Sequence, residues 1–277
     1  MTRSYYGQPV LKAPVWKWYV PAYFFAGGVA AGTTLLATGA RLTGDRRLAR
    51  RCRFAATAAT VVSTALLIKD LGRPARFLNM LRVAKPTSPM SVGSWVLAGF
   101  GGATTVATAA HVVPLPRPVV DAAEAAAAGL APVLATYTAV LIADTAVPAW
   151  HGARRELPFV FAGGALASSG GVALLCGGDA PARRAALSGA ALELGAAGAM
   201  HRRLGAPRSR LAKFAIVATA SGGALSLRPA TRVPAGIMLL AGAAAHRFAV
   251  FHAGVESARD PSATIDPQRR RLQKPPH

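Results

Sequence analysis

The amino-acid sequence predicts an all-α integral membrane protein with about eight transmembrane helices in packed bundles, and three observations carry that prediction. Hydrophobic residues make up 52% of the 277-residue chain and charged residues 16%, against about a quarter charged in an average soluble domain. The 32 lysines and arginines gather in short clusters between long stretches that hold almost none, as when charge is confined to the boundaries where anionic headgroups attract it. The charge-poor stretches recur at about 20 residues, the length that crosses a bilayer core. Such apolar content excludes a disordered chain, and two cysteines, Cys52 and Cys176, make no disulfide framework. A net charge of +21 raises the question of nucleic acid, but no basic stripe on an amphipathic helix and no interleaved aromatics accompany it.

Taken in order, the apolar runs cover residues 21–42, 54–68, 91–113, 125–147, 157–175, 185–200, 213–227 and 234–250. None alternates as a β-strand does, and the second, sixth, seventh and eighth are short for a span. The first is long enough to cross and is followed by the basic cluster at 41–53, so it reads as a retained helix rather than a cleaved signal. Most runs are rich in Ala, Gly, Ser and Thr. Pairs such as Gly28 with Gly32 and Ala191 with Gly195 suit close helix approach, although an alanine-biased genome accounts for them equally well. The expected organisation is an N-terminal interfacial segment (1–20), an eight-helix membrane domain (21–250) and a basic C-terminal tail (251–277).

Eight spans put both termini on one side, here called face A, and the loops after spans one, three, five and seven on face B. Lysines and arginines number 20 on face A and 11 on face B, which favours face A in the cytoplasm. The flanks of the first span read the other way, 3 against 6, so orientation stays open.

Polar residues within or beside spans are costly, which makes each a functional candidate. Tyr23 opens span one; Asp70, Arg73 and Arg76 follow span two; Ser91, Ser94 and Trp95 open span three. Tyr137 and Asp144 lie in the second half of span four, Glu193 in that of span six, and His246 and Arg247 near the end of span eight. Helix count alone puts all of them in the face A half of the membrane. A quinone head group suits such a place. It takes up or releases two electrons and two protons, and needs donors to its two carbonyl oxygens, an apolar cleft and a protonatable group. Tyr23 and Tyr137 offer donors on apolar rings, and Asp70 or Glu193 can relay protons if burial raises its pKa.

Blander readings accompany each residue. Tyr23 fits an interfacial aromatic belt, and Asp70 a salt bridge with Arg73 or Arg76 that merely ends a helix. Glu193 is either neutral or paired across helices, with Arg247 available to answer it. No metal site is expected. Cysteine sets for iron–sulfur clusters are missing, and only His246 lies clearly inside a span, where a membrane haem needs two facing histidines. The glycine pairs Gly27-Gly28 and Gly163-Gly164 are not phosphate loops, having no preceding strand. Electrons reaching a quinone here must come from another subunit.

Several segments resemble the NrfD / polysulfide reductase membrane-subunit family. They are Tyr5-Tyr6-Gly7-Gln8-Pro9-Val10-Leu11-Lys12 with Pro14-Val15-Trp16-Lys17-Trp18, and the block from Asp70 through Gly72-Arg73-Pro74, Arg76-Phe77 and Lys85-Pro86-Thr87-Ser88-Pro89 to Gly93-Ser94-Trp95. Asp144-Thr145-Ala146-Val147-Pro148-Ala149-Trp150-His151 and Arg247-Phe248-Ala249-Val250-Phe251-His252-Ala253-Gly254 belong with them. The resemblance implies an eight-helix subunit without its own cofactor. Such a subunit exchanges electrons with quinone, menaquinone being the form expected, through a ferredoxin-like iron–sulfur subunit that commonly serves a molybdopterin catalytic subunit in the bacterial cytoplasmic membrane. It also places a quinone site among the early helices. Tyr23 falls where some relatives carry histidine and Tyr137 matches a tyrosine of the fourth helix, which moves proton handling to Asp70 or Glu193.

The expected function is thus a membrane-anchoring, quinone-interacting subunit with Asp70 and Glu193 as proton-handling groups and Tyr23, Arg73, Trp95 and Tyr137 around the quinone. The alternatives are a purely structural anchor, which binds no quinone, and an ion- or proton-translocating transporter relaying through Asp70, Asp144 and Glu193. A transporter would show related half-repeats with interrupted helices, and no convincing match between the halves is visible in sequence.

Overall fold

The computed structural model describes residues 11–12, 14–73, 75–207 and 209–265. Parts of the expected interfacial segment and basic tail, residues 1–10, 13 and 266–277, lie outside the described residues. Among those described, the chain is nearly all helix and contains no strand. Eight helices of 16 residues or more follow the eight apolar runs: α1 (Tyr19–Leu42), α2 (Arg46–Leu71), α4 (Pro89–Ala109), α5 (Arg117–Ala143), α7 (Leu157–Leu175), α8 (Ala180–Leu204), α9 (Arg210–Leu225) and α10 (Arg232–Arg259). Short α3 (Ala75–Met80) and α6 (Pro148–Gly152) lie in the face A connections.

Local chemistry sets several boundaries. Asp45, Ser88 and Ser209 cap the amino ends of α2, α4 and α9 by accepting from the amides of Leu48, Ser91 and Ala212, which satisfies donors a helix start leaves open. Gly72 ends α2 at φ 72°, a left-handed conformation that a Cβ disfavours. Polar helix ends are where the apolar runs underestimate the helices. Arginines carry α2 eight residues upstream of Phe54, and α10 continues to Arg259. The opposite correction applies to span four, since α5 stops at Ala143. Asp144 is then an exposed residue beyond the helix and not part of it.

Consecutive long helices pair as hairpins, α1 with α2, α4 with α5, α7 with α8 and α9 with α10. Within the first four, α1 also packs on α5 and α2 on α4; within the last four, α7 packs on α10 and α8 on α9 in the same order. The halves therefore share a packing order that the sequence does not display. Four connected helices return the chain to its starting face, so the second unit runs parallel to the first. The units meet mainly where α1 crosses α7, with α5 on α7 and α1 on α10 beside it. Accordingly α1 and α7 are the most buried long helices, and α2 lies at the periphery.

Small residues decide how close these helices come. At the α1–α7 crossing a Cβ on Gly32 would overlap the Ala165 carbonyl, and one on Gly28 would stand 2.9 Å from Arg247 Nη2. The Gly28–Gly32 pair thus serves the close approach expected of it. The Ala191–Gly195 pair does not, because a Cβ at Gly195 would meet nothing within 4 Å. The α7–α8 contact runs instead through Gly163, Gly170 and Gly189, each laid against backbone of the facing helix.

Among the described residues, five helical segments are long and apolar enough to cross a membrane: Tyr19–Leu42, Arg46–Leu71, Arg117–Ala143, Leu157–Leu175 and Pro229–Arg259. At 16 residues α9 rises about 24 Å, short of a hydrocarbon core of about 30 Å. In α8, Arg183, Arg184, Arg202 and Arg203 flank a middle made mostly of alanine and glycine, so its mean hydropathy is low despite its 25 residues.

Candidate functional site

Four helices of the first unit converge at its face A end. Tyr23, in the first turns of α1, is buried, with 5% exposed, and its ring packs edge-on against Phe24 with centroids 4.6 Å apart. From α2, Ser63 Oγ donates to the Tyr23 carbonyl at 3.1 Å. Tyr137 of α5 and Asp70 at the end of α2 stand close enough to act electrostatically on the Tyr23 hydroxyl. The Tyr137 ring lies against α4 at Gly93, where any Cβ would overlap it. Of the residues expected around a quinone, Tyr23 and Tyr137 lie near one another, with Asp70, expected as a proton-handling group, also near Tyr23.

Asp70 is partly buried. Among the described residues no ion pair joins it to Arg73 or Arg76, so the helix-ending salt bridge is absent. Its charged neighbour is Lys17, from the segment that leads into α1. Arg76 Nη1 instead donates to the Leu71 carbonyl at 3.0 Å. Arg73 is exposed. Trp95 is 46% exposed and its Nε1 donates to the Val83 carbonyl at 3.5 Å. Ser91 and Ser94 bond nearby backbone, Ser91 Oγ donating to Val83 O at 2.9 Å and Ser94 Oγ to Met90 O at 2.7 Å. These residues rim the end of the unit. The described contacts join neither Arg73 nor Trp95 to Tyr23 or Tyr137.

Glu193 belongs elsewhere. It is fully buried on α8 in the second unit, where His246 Nδ1 lies 3.0 Å from its Oε1 and Thr219 Oγ1 donates to its Oε2 at 3.3 Å. Arg247, also buried, donates through Nη2 to the Phe161 carbonyl at 2.8 Å and through Nη1 to Ala243 O at 3.3 Å. Its guanidinium lies 4.9 Å over the Phe161 ring, while its Nε has no partner among the described residues. Glu193 is a charged neighbour of Arg247, although the direct bond goes to His246. Gly164 makes room for both, since a Cβ there would strike Arg247 Nη1 and approach Glu193 Oε1 to 2.9 Å. Glu193 is thus bonded across helices, with histidine and threonine as the partners in contact. Asp144 is exposed at the end of α5, which takes away the intramembrane relay that the transporter reading asked of it.

Two features escaped the sequence. On face B, Glu124 of α5 pairs with Arg53 of α2 and Arg41 of α1, and Arg41 reaches Asp121 at 2.5 Å. Arg53 and Glu124 are 6% and 8% exposed, so part of the 41–53 cluster faces inward. Beside them Thr34, Thr38 and Thr104 line a void of about 10 Å³, room for about one water. Glu124 stands in an alanine run one residue outside the expected span, so its burial had no local signal. The second feature is Trp150 of α6, fully buried, stacked on Trp16 with centroids 5.6 Å apart and donating from Nε1 to the Val250 carbonyl at 2.8 Å. It pins the entering segment, the α5–α7 connection and α10 together at face A. Among the described residues, no three His, Cys, Asp or Glu side chains group to hold a metal ion.

The chain matches the family described as polysulphide reductase, NrfD, over residues 8–186. It belongs to the NrfD family. No curated protein matches it. Family membership makes this a multi-pass membrane subunit of an oxidoreductase complex, one that works with other subunits of that complex. The matched stretch holds the whole first unit with Tyr23, Asp70, Gly93 and Tyr137, and ends early in α8. The Glu193–His246–Arg247 cluster lies beyond it.

Proposed function

We propose that this NrfD subunit is the quinone-reactive membrane component of its complex, crossing the bacterial cytoplasmic membrane eight times. The convergence of Tyr23, Tyr137 and Asp70 from α1, α5 and α2 at one end of an apolar bundle is the observation that supports a quinone site. Two phenol hydroxyls can donate to quinone oxygens. The Asp70 carboxyl, at the membrane boundary beside Lys17, is placed to pass protons between that site and water. The electrons come from a ferredoxin-like iron–sulfur subunit fed by a molybdopterin enzyme and docked at face A. The eight crossings draw support from the hairpins: α4, α8 and α9 lie along α5, α7 and α10, so each returns the chain through the layer its partner crosses. Glu193, expected as a second proton-handling residue, acts instead as the acceptor that holds α9 and α10 onto α8.

The deciding experiment is Asp70→Asn in the assembled complex. Loss of quinone turnover with normal assembly supports the reading, and loss of assembly marks Asp70 as structural. One observation favours the structural-anchor reading as the runner-up. Tyr23 is sealed at 5% exposure, and neither of the two cavities described touches Tyr23 or Tyr137. Quinone access then depends on partly exposed Tyr137. A complex in which no quinone analogue competes for binding would decide for the anchor.

A further inference from the structure

On the outer side of the α7–α8 hairpin, at the face A end, lies a groove of about 390 Å³, within the range of about 300–1,000 Å³ that small-molecule sites occupy. Phe159, Leu192, Gly195, Ala196 and Ala199 line its length and Arg155 its mouth. It exists because a Cβ at Gly195 would meet nothing within 4 Å and the residues beside it are alanines. The wall is apolar and faces outward in a membrane subunit. Phe159 is 58% exposed and Leu192 39%.

The mouth is basic. Arg202 lies seven residues beyond Gly195 and three beyond Ala199, on the same side of α8. Helical side chains lean toward the amino end, and Arg202 reaches back alongside the groove rather than in its wall, its Nη1 3.8 Å from a Cβ at Gly198. The acid that borders the groove is neutralised. Arg203 donates to Glu156 through Nε at 2.8 Å and Nη2 at 2.5 Å, and these bonds hold the Glu156 carboxyl below the usual carboxylate range. Arg155 and Arg202 are exposed, and among the described residues neither has an ion pair. An apolar trough capped by uncommitted guanidinium groups is complementary to one kind of membrane molecule, an acyl chain carrying an anionic phosphodiester.

We infer that the α7–α8 groove is a binding site for an anionic phospholipid, with one acyl chain along Gly195 and Ala199 and the phosphodiester between Arg155 and Arg202. The site lies on the second unit and does not depend on quinone chemistry.

The test uses the full chain, purified in detergent, with phosphatidylglycerol or phosphatidylcholine added in mixed micelles and thermal unfolding followed. Phosphatidylglycerol is expected to raise Tm in a saturable way and phosphatidylcholine to leave it nearly unchanged. The double variant Arg155→Gln/Arg202→Gln is expected to weaken the phosphatidylglycerol response by about tenfold or more in half-saturating concentration, since two juxtamembrane cations are lost. A Cβ at Gly195 meets nothing within 4 Å, so Gly195→Leu, which fills the trough, is expected to keep the lipid-free Tm and lose the response. Equal stabilisation by both lipids would overturn the inference, as would a response indifferent to either variant. So would a photo-crosslinker at Ala199 that captures another polypeptide of the complex instead of lipid.

Discussion

The first four-helix unit gathers its polar side chains at one end, and the second gathers its own in the middle. In α1, α2, α4 and α5 the group is Tyr23, Tyr137 and Asp70, within reach of the membrane boundary and of Lys17. In α7–α10 it is Glu193, Thr219, His246 and Arg247, buried almost completely and bonded to one another or to backbone. The packing order is shared, and the side chains it brings together differ. A polar group left under-bonded near a boundary can exchange protons and bind a ligand. A group bonded in a dry interior ties helices together.

That contrast is open to being broken by mutation. Glu193→Ala leaves His246 and Thr219 without their acceptor and Arg247 without its neighbouring carboxyl, and removing one partner of a buried charged set costs about 3–5 kcal/mol. A collapse in thermal stability and in folded yield is expected, and a variant as stable as the parent would end the structural assignment of this cluster. Asp70→Asn is expected to do the reverse. Stability and subunit assembly stay near normal while quinone turnover falls about 10²–10⁴-fold, the range associated with a positioned proton-transfer group. Steady-state quinone reduction or oxidation by the intact complex reads it. Should turnover survive, proton handling lies with another residue.

Gly93→Ala sharpens the comparison further, because its methyl would overlap the Tyr137 ring. Overpacking of this kind costs about 1–3 kcal/mol, and displacement of Tyr137 is expected to weaken quinone binding at the same time. An Ala variant with normal stability and normal quinone affinity would detach Tyr137 from both roles. Tyr137→Phe is the smallest change. It removes one donor and is expected to lower quinone affinity by about 0.5–1.5 kcal/mol, read by inhibitor or quinone titration. No change there would remove Tyr137 from the site.

Most of the helical layout was legible because apolar runs and basic boundaries follow directly from the solvent, which is lipid in the middle and water at the ends. The meeting of Tyr23, Tyr137 and Asp70 was legible for a related reason, since alternating helices bring their face A ends together whatever the details of packing. Depth was harder to read. Glu193 and His246 count toward face A by position along their helices, yet α8 and α10 bury them in the other unit. Asp144 fell into a span because Val147 continues the apolar run, although the helix stops at Ala143. The Arg53–Glu124 pair was invisible because nothing local in the sequence tells an inward-facing arginine from a boundary one. The repeated packing order left no trace in sequence because small residues of many kinds satisfy the same helix crossing.

The most direct test is photolabelling of the assembled complex with an azido-quinone, followed by mapping of the adduct and competition with unmodified menaquinone. Competed adducts on peptides containing Tyr23 or Tyr137 are the predicted result. Competed adducts confined to α8–α10, or labelling that menaquinone does not displace, would contradict it.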